Sequence, residues 1–69
     1  MDAKKFGKKI KTARVERDMT QDQLADAIQT KQKSISSYET GAAFPSLETL
    51  EKLARALKKP ISYFFDEPQ

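Results

Sequence analysis

Apolar residues recur every three to four positions along most of the chain, and no stretch shows the alternation of a half-buried strand. Ala3, Phe6, Ile10 and Ala13 fall on one side of a helical projection, with Lys4, Lys8 and Lys11 on the other. This predicts a first helix over residues 3–17, ending near Asp18 or Met19. Arg14 and Arg17 sit at the edges of the apolar stripe, where a charged side chain calls for a partner. Thr20 has the hydroxyl of an N-cap, and Gln23 three residues later completes a capping box. The helix it opens, over residues 21–28, buries Leu24, Ala25 and Ile28. After a break at residues 29–31, a third helix over 32–40 turns Ile35 and Tyr38 inward and stops at Gly41, which takes a positive φ without a Cβ clash.

Pro45 and Ser46 restart the chain. Ser46 caps a fourth helix over residues 47–58, and Glu48 suits its positive end. Leu47, Leu50, Leu53, Ala54 and Leu57 give that helix a strong apolar period. Lys58 and Lys59 lie at its negative end and Pro60 terminates it. Ile61, Phe64 and Phe65 make a short closing turn of helix over residues 61–65 that lids the core, ahead of a polar tail at 66–69. The expected fold is all-α and compact, with five helices in one domain spanning 1–69.

Length makes that core a small one, because a 69-residue chain buries a lower share of its surface than a longer chain does. Without cysteine or histidine, neither a disulfide nor a Cys/His zinc site can staple it, so no metal and no cofactor are expected. No apolar run is long enough to span a bilayer, and the basic N-terminus lacks the hydrophobic stretch of a signal peptide, which favours a soluble, cytoplasmic protein. Catalysis is not expected either: there is no Gly-rich phosphate loop, and the acidic residues lie on helical surfaces without a converging pair.

The net charge of +3 is unevenly spread. Residues 1–17 hold seven basic and two acidic side chains, residues 18–30 carry only Asp18, Asp22 and Asp26, and residues 31–40 return to a net +1. Such alternation points to one basic face, compatible with a nucleic-acid partner. The lysines of the first helix are read as a solvated face.

Two short helices separated by a three-residue break, the first beginning Thr-Gln, match a helix-turn-helix over about residues 20–40. The ordered set Thr20-Gln21, Leu24-Ala25, Ile35-Ser36, Tyr38-Glu39, Gly41 and Pro45-Ser46-Leu47 resembles the Cro and lambda-repressor-like family, also called the xenobiotic-response-element family. The likeness reaches back to Phe6 and forward to Phe65. It implies a lambda-repressor-like fold whose second motif helix enters the major groove of duplex DNA while the first crosses the backbone. It also implies a transcriptional regulator, most simply a repressor, acting as a homodimer on a near-palindromic operator. No small-molecule ligand is implied.

On that reading, Gln32, Lys33 and Ser37 are the base contacts. A glutamine amide pairs bidentately with adenine, a lysine donates to guanine, and a serine reaches either kind of base edge. Gln21 and Thr40 match family positions that touch the DNA backbone, with Lys31 and Ser36 beside them. Arg14 and Glu39 match a structural ion pair joining the first helix to the end of the recognition helix.

Four positions depart from the family pattern. Gln29 stands where glycine is usual, so a left-handed conformation there costs roughly 1–2 kcal/mol. Lys31 replaces a capping serine or threonine; Thr30 is the alternative cap, and its use would shift the contacting side chains. Ala42 and Ala43 stand where basic residues often approach phosphate, implying a shallower salt dependence. A competing reading makes the domain a protein-interaction adaptor or an antitoxin-type partner-binding domain. The dimer surface is open between the aromatics Tyr63, Phe64 and Phe65 plus the tail, and a role for those aromatics purely in the core.

Overall fold

The computed structural model describes residues 2–65; the tail at 66–69 lies outside the described residues. The chain forms four α-helices, α1 (Ala3–Glu16), α2 (Gln21–Ala27), α3 (Gln32–Thr40) and α4 (Leu47–Leu57), followed by a 3-10 turn at Ile61–Phe65. The described residues are therefore all helical, with four α-helices in place of the expected five. The closing element is only five residues long and is anchored by the Tyr63 N–H donating to the Pro60 carbonyl at 3.0 Å. So short a segment favours the tighter i→i+3 pattern, because nucleating an α-helix fixes many dihedrals for one bond.

Three of the helices also stop one residue sooner than their apolar periods predict. Asp18, Gln29 and Lys58 each adopt a left-handed backbone, with φ of 55°, 59° and 56°. Each reverses the chain so that the next N–H bonds back into the last turn: Met19 to the Arg14 carbonyl, Thr30 to Ala25, and Lys59 to Ala54. These paired bonds satisfy carbonyls that a helix end otherwise leaves open.

The core follows the apolar stripes. Phe6, Ile10 and Ala13 of α1 meet Leu24 and Ala25 of α2, Ile35 of α3, and Leu50, Leu53 and Leu57 of α4. Phe64 closes the cluster from the 3-10 turn and is buried. Phe6 lies at the centre of an aromatic group, its ring 4.4 Å from that of Phe44, 6.0 Å from Phe64 and 5.7 Å from Phe65. Burying side chains of this size contributes about 1.5–3 kcal/mol each. Leu47 is the exception to the expected stripe: it is 69% exposed. At about 100° per residue it stands roughly a quarter turn from the mean direction of Leu50, Leu53 and Leu57.

Two contacts set how α1 meets the rest. Gly7 faces the end of α3 so closely that an added Cβ would lie 2.5 Å from the Glu39 carbonyl oxygen and closer still to that of Tyr38. Lys9 is only partly exposed; its Nζ donates to the Tyr63 carbonyl at 3.0 Å and sits 5.1 Å from the Tyr63 ring centroid. Lys59 lies 4.7 Å from the same centroid and 3.5 Å from Glu16, so the closing turn is held against both α1 and the end of α4.

Candidate nucleic-acid interface

α2 begins where the Thr20 hydroxyl accepts from the Gln23 N–H at 3.0 Å and the Gln23 side chain accepts from the Thr20 N–H at 2.8 Å. Two otherwise open backbone donors are thus satisfied reciprocally. The turn that follows runs through Ile28 and left-handed Gln29 to Lys31, whose extended backbone (φ −99°, ψ 151°) precedes α3. Lys31 is the N-cap residue and makes no side-chain cap bond. Thr30 does not take over the capping role, so the recognition helix begins at Gln32 and its register is not displaced.

That register sorts α3 into faces. Ile35 and Glu39 are buried and Tyr38 packs partly against the core. Lys33, Ser36, Ser37 and Thr40 follow at helical spacing on the outer side; Lys33 and Thr40 are exposed and the two serines half-buried. Lys31 and Gln32 are exposed at the N-terminal end. Lys31, Lys33, Ser34, Ser37, Tyr38 and Ala43 line an open groove of about 250 Å3 beside the helix. The Thr40 hydroxyl donates back to the Ser37 carbonyl at 3.3 Å. The loop after Gly41 presents Ala42 and Ala43 to solvent.

Behind this surface runs one continuous chain of hydrogen bonds. Arg14 Nη1 donates to the Met19 carbonyl at 2.7 Å. Its Nε donates to Glu39 Oε2 at 2.6 Å and its Nη2 to Glu39 Oε1 at 3.2 Å, a bidentate pair whose side chains are 11% and 4% exposed. Gln21 Nε2 donates to Glu39 Oε1 at 3.0 Å, and Gln21 Oε1 accepts from Gln32 Nε2. The order of donors is dictated from the buried end. An ionised carboxylate only accepts, so it takes the nitrogen of Gln21 and leaves the Gln21 oxygen toward Gln32. That oxygen in turn takes a nitrogen of Gln32, leaving the Gln32 oxygen and its second N–H uncommitted.

Arg14 and Glu39 are therefore brought together, and Gln21 and Gln32 with them. Both ends of the Gln21 amide are engaged inside the protein. The bracing of Gln32 by Gln21 went unread in the sequence, although one signal was present: each glutamine opens one of the two motif helices. The Met19 carbonyl and Gly7 were missed as well, since both act through backbone atoms that carry no residue-type signature.

The helix-turn-helix family model matches residues 10–64. Among relatives, the cryptic phage CTXphi transcriptional repressor RstR of Vibrio cholerae is 42% identical over 57 residues, covering 83% of this chain and 51% of RstR. Multiprotein-bridging factor 1 of Candida albicans is 45% identical over 51 residues, 74% of this chain and 34% of that protein. The chain thus spans about half or less of these relatives. In the crystal structure of Bacillus thuringiensis PlcR in complex with the peptide PapR7 and DNA, a segment 41% identical superposes with a TM-score of 0.84, covering 91% of this chain and 22% of PlcR. With the motif geometry, the core and a match over most of its length in agreement, the chain belongs to the helix-turn-helix family, in its Cro and lambda-repressor-like branch.

Proposed function

We propose that this chain binds duplex DNA in a sequence-dependent way through α3 and acts as a transcriptional regulator, in the manner of a repressor, without catalysis. The observation that carries the reading is the oriented amide of Gln32. Its free oxygen and second N–H are the acceptor and donor that pair with adenine N6 and N7 in the major groove. Lys33 stands one residue on to donate to guanine, and Ser37 one turn further along. Lys31, Ser36 and Thr40 border this strip and are assigned to the sugar-phosphate backbone. Gln21, whose amide holds Gln32, keeps its second N–H and is also assigned to the sugar-phosphate backbone at the start of α2. Likeness to a repressor and to a DNA-bound regulator supports the same reading.

One recognition helix offers a small interface, so the reading includes a homodimer on a near-palindromic site with half-sites about one helical turn apart. Selection of preferred duplexes from a random pool, followed by titration at several salt concentrations, tests it. A defined sequence optimum with a falling affinity as salt rises is expected; binding without any optimum rejects it. The likeness to a multiprotein-bridging factor favours a second reading, an adaptor that docks another protein. That reading gains if the selection yields no optimum.

A further inference from the structure

The lysines of α1, one solvated face by sequence, are divided by the way the helix packs. Gly7 and Arg14 turn toward α3, one against the Tyr38 and Glu39 carbonyls and the other onto the Glu39 carboxylate. Phe6, Ile10 and Ala13 point into the core, about 80° to one side of that direction at 3.6 residues per turn. Lys4, Lys8 and Lys11 lie about 80° to the other side. They therefore occupy the flank of α1 that adjoins α3 and faces away from the core. All three are exposed, and none makes an ion pair among the described residues. Lys5 is exposed too but sits on the side of α1 turned away from α3, and Lys9 is committed to the closing turn. On α3, Glu39 faces α1 and Ile35 the core, so Ser36 and Thr40 are the outer residues nearest that flank. The two helices meet at its far end: a Cβ on Gly41 would lie 3.1 Å from the Lys4 nitrogen and 3.2 Å from its Cα. Lys4 thus stands beside Thr40. The Lys4 and Lys5 N–H groups donate to the Asp2 carboxylate, which leaves the ammonium groups as the donors open to an anion.

We propose that Lys4, Lys8 and Lys11 form a second strip for the sugar-phosphate backbone of the duplex, running beside α3 and standing in for the cations that the loop at Ala42 and Ala43 lacks. The inference rests on the DNA-binding reading and adds contacts outside the strip assigned there. Each phosphate that a lysine neutralises releases condensed counterions, so each contact adds about 0.9 to the slope of log affinity against log salt. Phosphate contacts fix orientation and carry no sequence information. The α1 strip accordingly raises affinity for every duplex and sets the angle at which α3 enters the groove. Its continuity with Ser36 and Thr40 selects the duplex held by α3 as the occupant over a separate acidic partner.

Titration of the full chain against its selected duplex and a scrambled one, between about 50 and 200 mM salt, tests this. Lys4→Ala, Lys8→Ala and Lys11→Ala each reduce the salt slope by about 1 and weaken both duplexes alike; the double variant Lys4→Ala/Lys11→Ala reduces it by about 2. Lys4→Arg keeps the slope, because the charge is retained. Lys5→Ala removes the same charge from the far side of α1, where salt screens it over a Debye length of about 8 Å, and leaves the slope unchanged. Circular dichroism melting at the level of the unaltered chain establishes that each variant folds. Slopes that do not move in the Lys4, Lys8 and Lys11 variants, or that move as far in Lys5→Ala, overturn the proposal, while a surviving sequence optimum leaves the DNA-binding reading standing. An unaltered chain with no optimum defeats that reading and the proposal with it.

Discussion

Gly7 of α1 approaches Glu39 of α3 so closely that a Cβ on Gly7 would stand 2.5 Å from the Glu39 carbonyl oxygen. The obstruction is backbone, which cannot swing aside as a flexible side chain can. Gly7→Ala is predicted to push α1 off α3 and to destabilise the domain by about 1–3 kcal/mol, despite the better helix propensity of alanine. Thermal melting checks this; an unchanged midpoint contradicts it.

The Arg14–Glu39 pair sits just beneath that contact. Its side chains are largely out of water, so losing one partner leaves the other charged and poorly solvated. Glu39→Ala and Arg14→Ala are each predicted to cost about 3 kcal/mol. The double variant is predicted to cost clearly less than their sum. A denaturant-melting cycle that gives additive losses refutes the coupling.

Gln29 holds φ of 59°, where a side chain crowds the following carbonyl. Gln29→Gly is predicted to stabilise the domain by about 1 kcal/mol and to raise its melting temperature by about 4–8 °C. Since Gln29 lies in the turn and keeps its exposed side chain out of the core, the preferred DNA sequence should stay the same. A lower melting temperature argues against strain at this residue.

Lys31 is assigned to phosphate. Lys31→Ala is predicted to weaken binding to preferred and scrambled duplexes alike and to reduce the salt slope by about 1. If only one base position changes, Lys31 belongs among the base contacts instead.

What the sequence discloses divides along the range of the interactions. The Thr20–Gln23 box, the stop at Gly41, and the inward placing of Ile35 and Leu53 depend on neighbours within a turn or two, and residue type alone conveys them. Leu47 matches the i, i+3 period yet points to solvent, because a spacing rule tolerates a phase error that burial does not. The α1 lysines read as one solvated face, but Lys9 reaches Tyr63, 54 residues away, to fasten the closing turn. Gly7 carries no pattern at all, since its importance arises only when α3 is laid across it. At the site, the family resemblance together with residue type nominated Gln32 and Lys33. The Gln21 brace appears only once the starts of α2 and α3 are side by side.

On the proposed reading, Glu39, acting through Gln21, orients the Gln32 amide to read one base. That role is tested most directly by measuring affinities of the unaltered chain, Gln32→Ala and Gln21→Ala against duplexes differing at single base pairs of the selected site. Gln32→Ala is predicted to lose about 1–3 kcal/mol on the preferred site and to relax discrimination at one A·T pair. Gln21→Ala should relax discrimination at that same pair and leave the others intact. If both variants keep the preference of the unaltered chain at every position, Gln32 does not read a base and the relay serves stability alone.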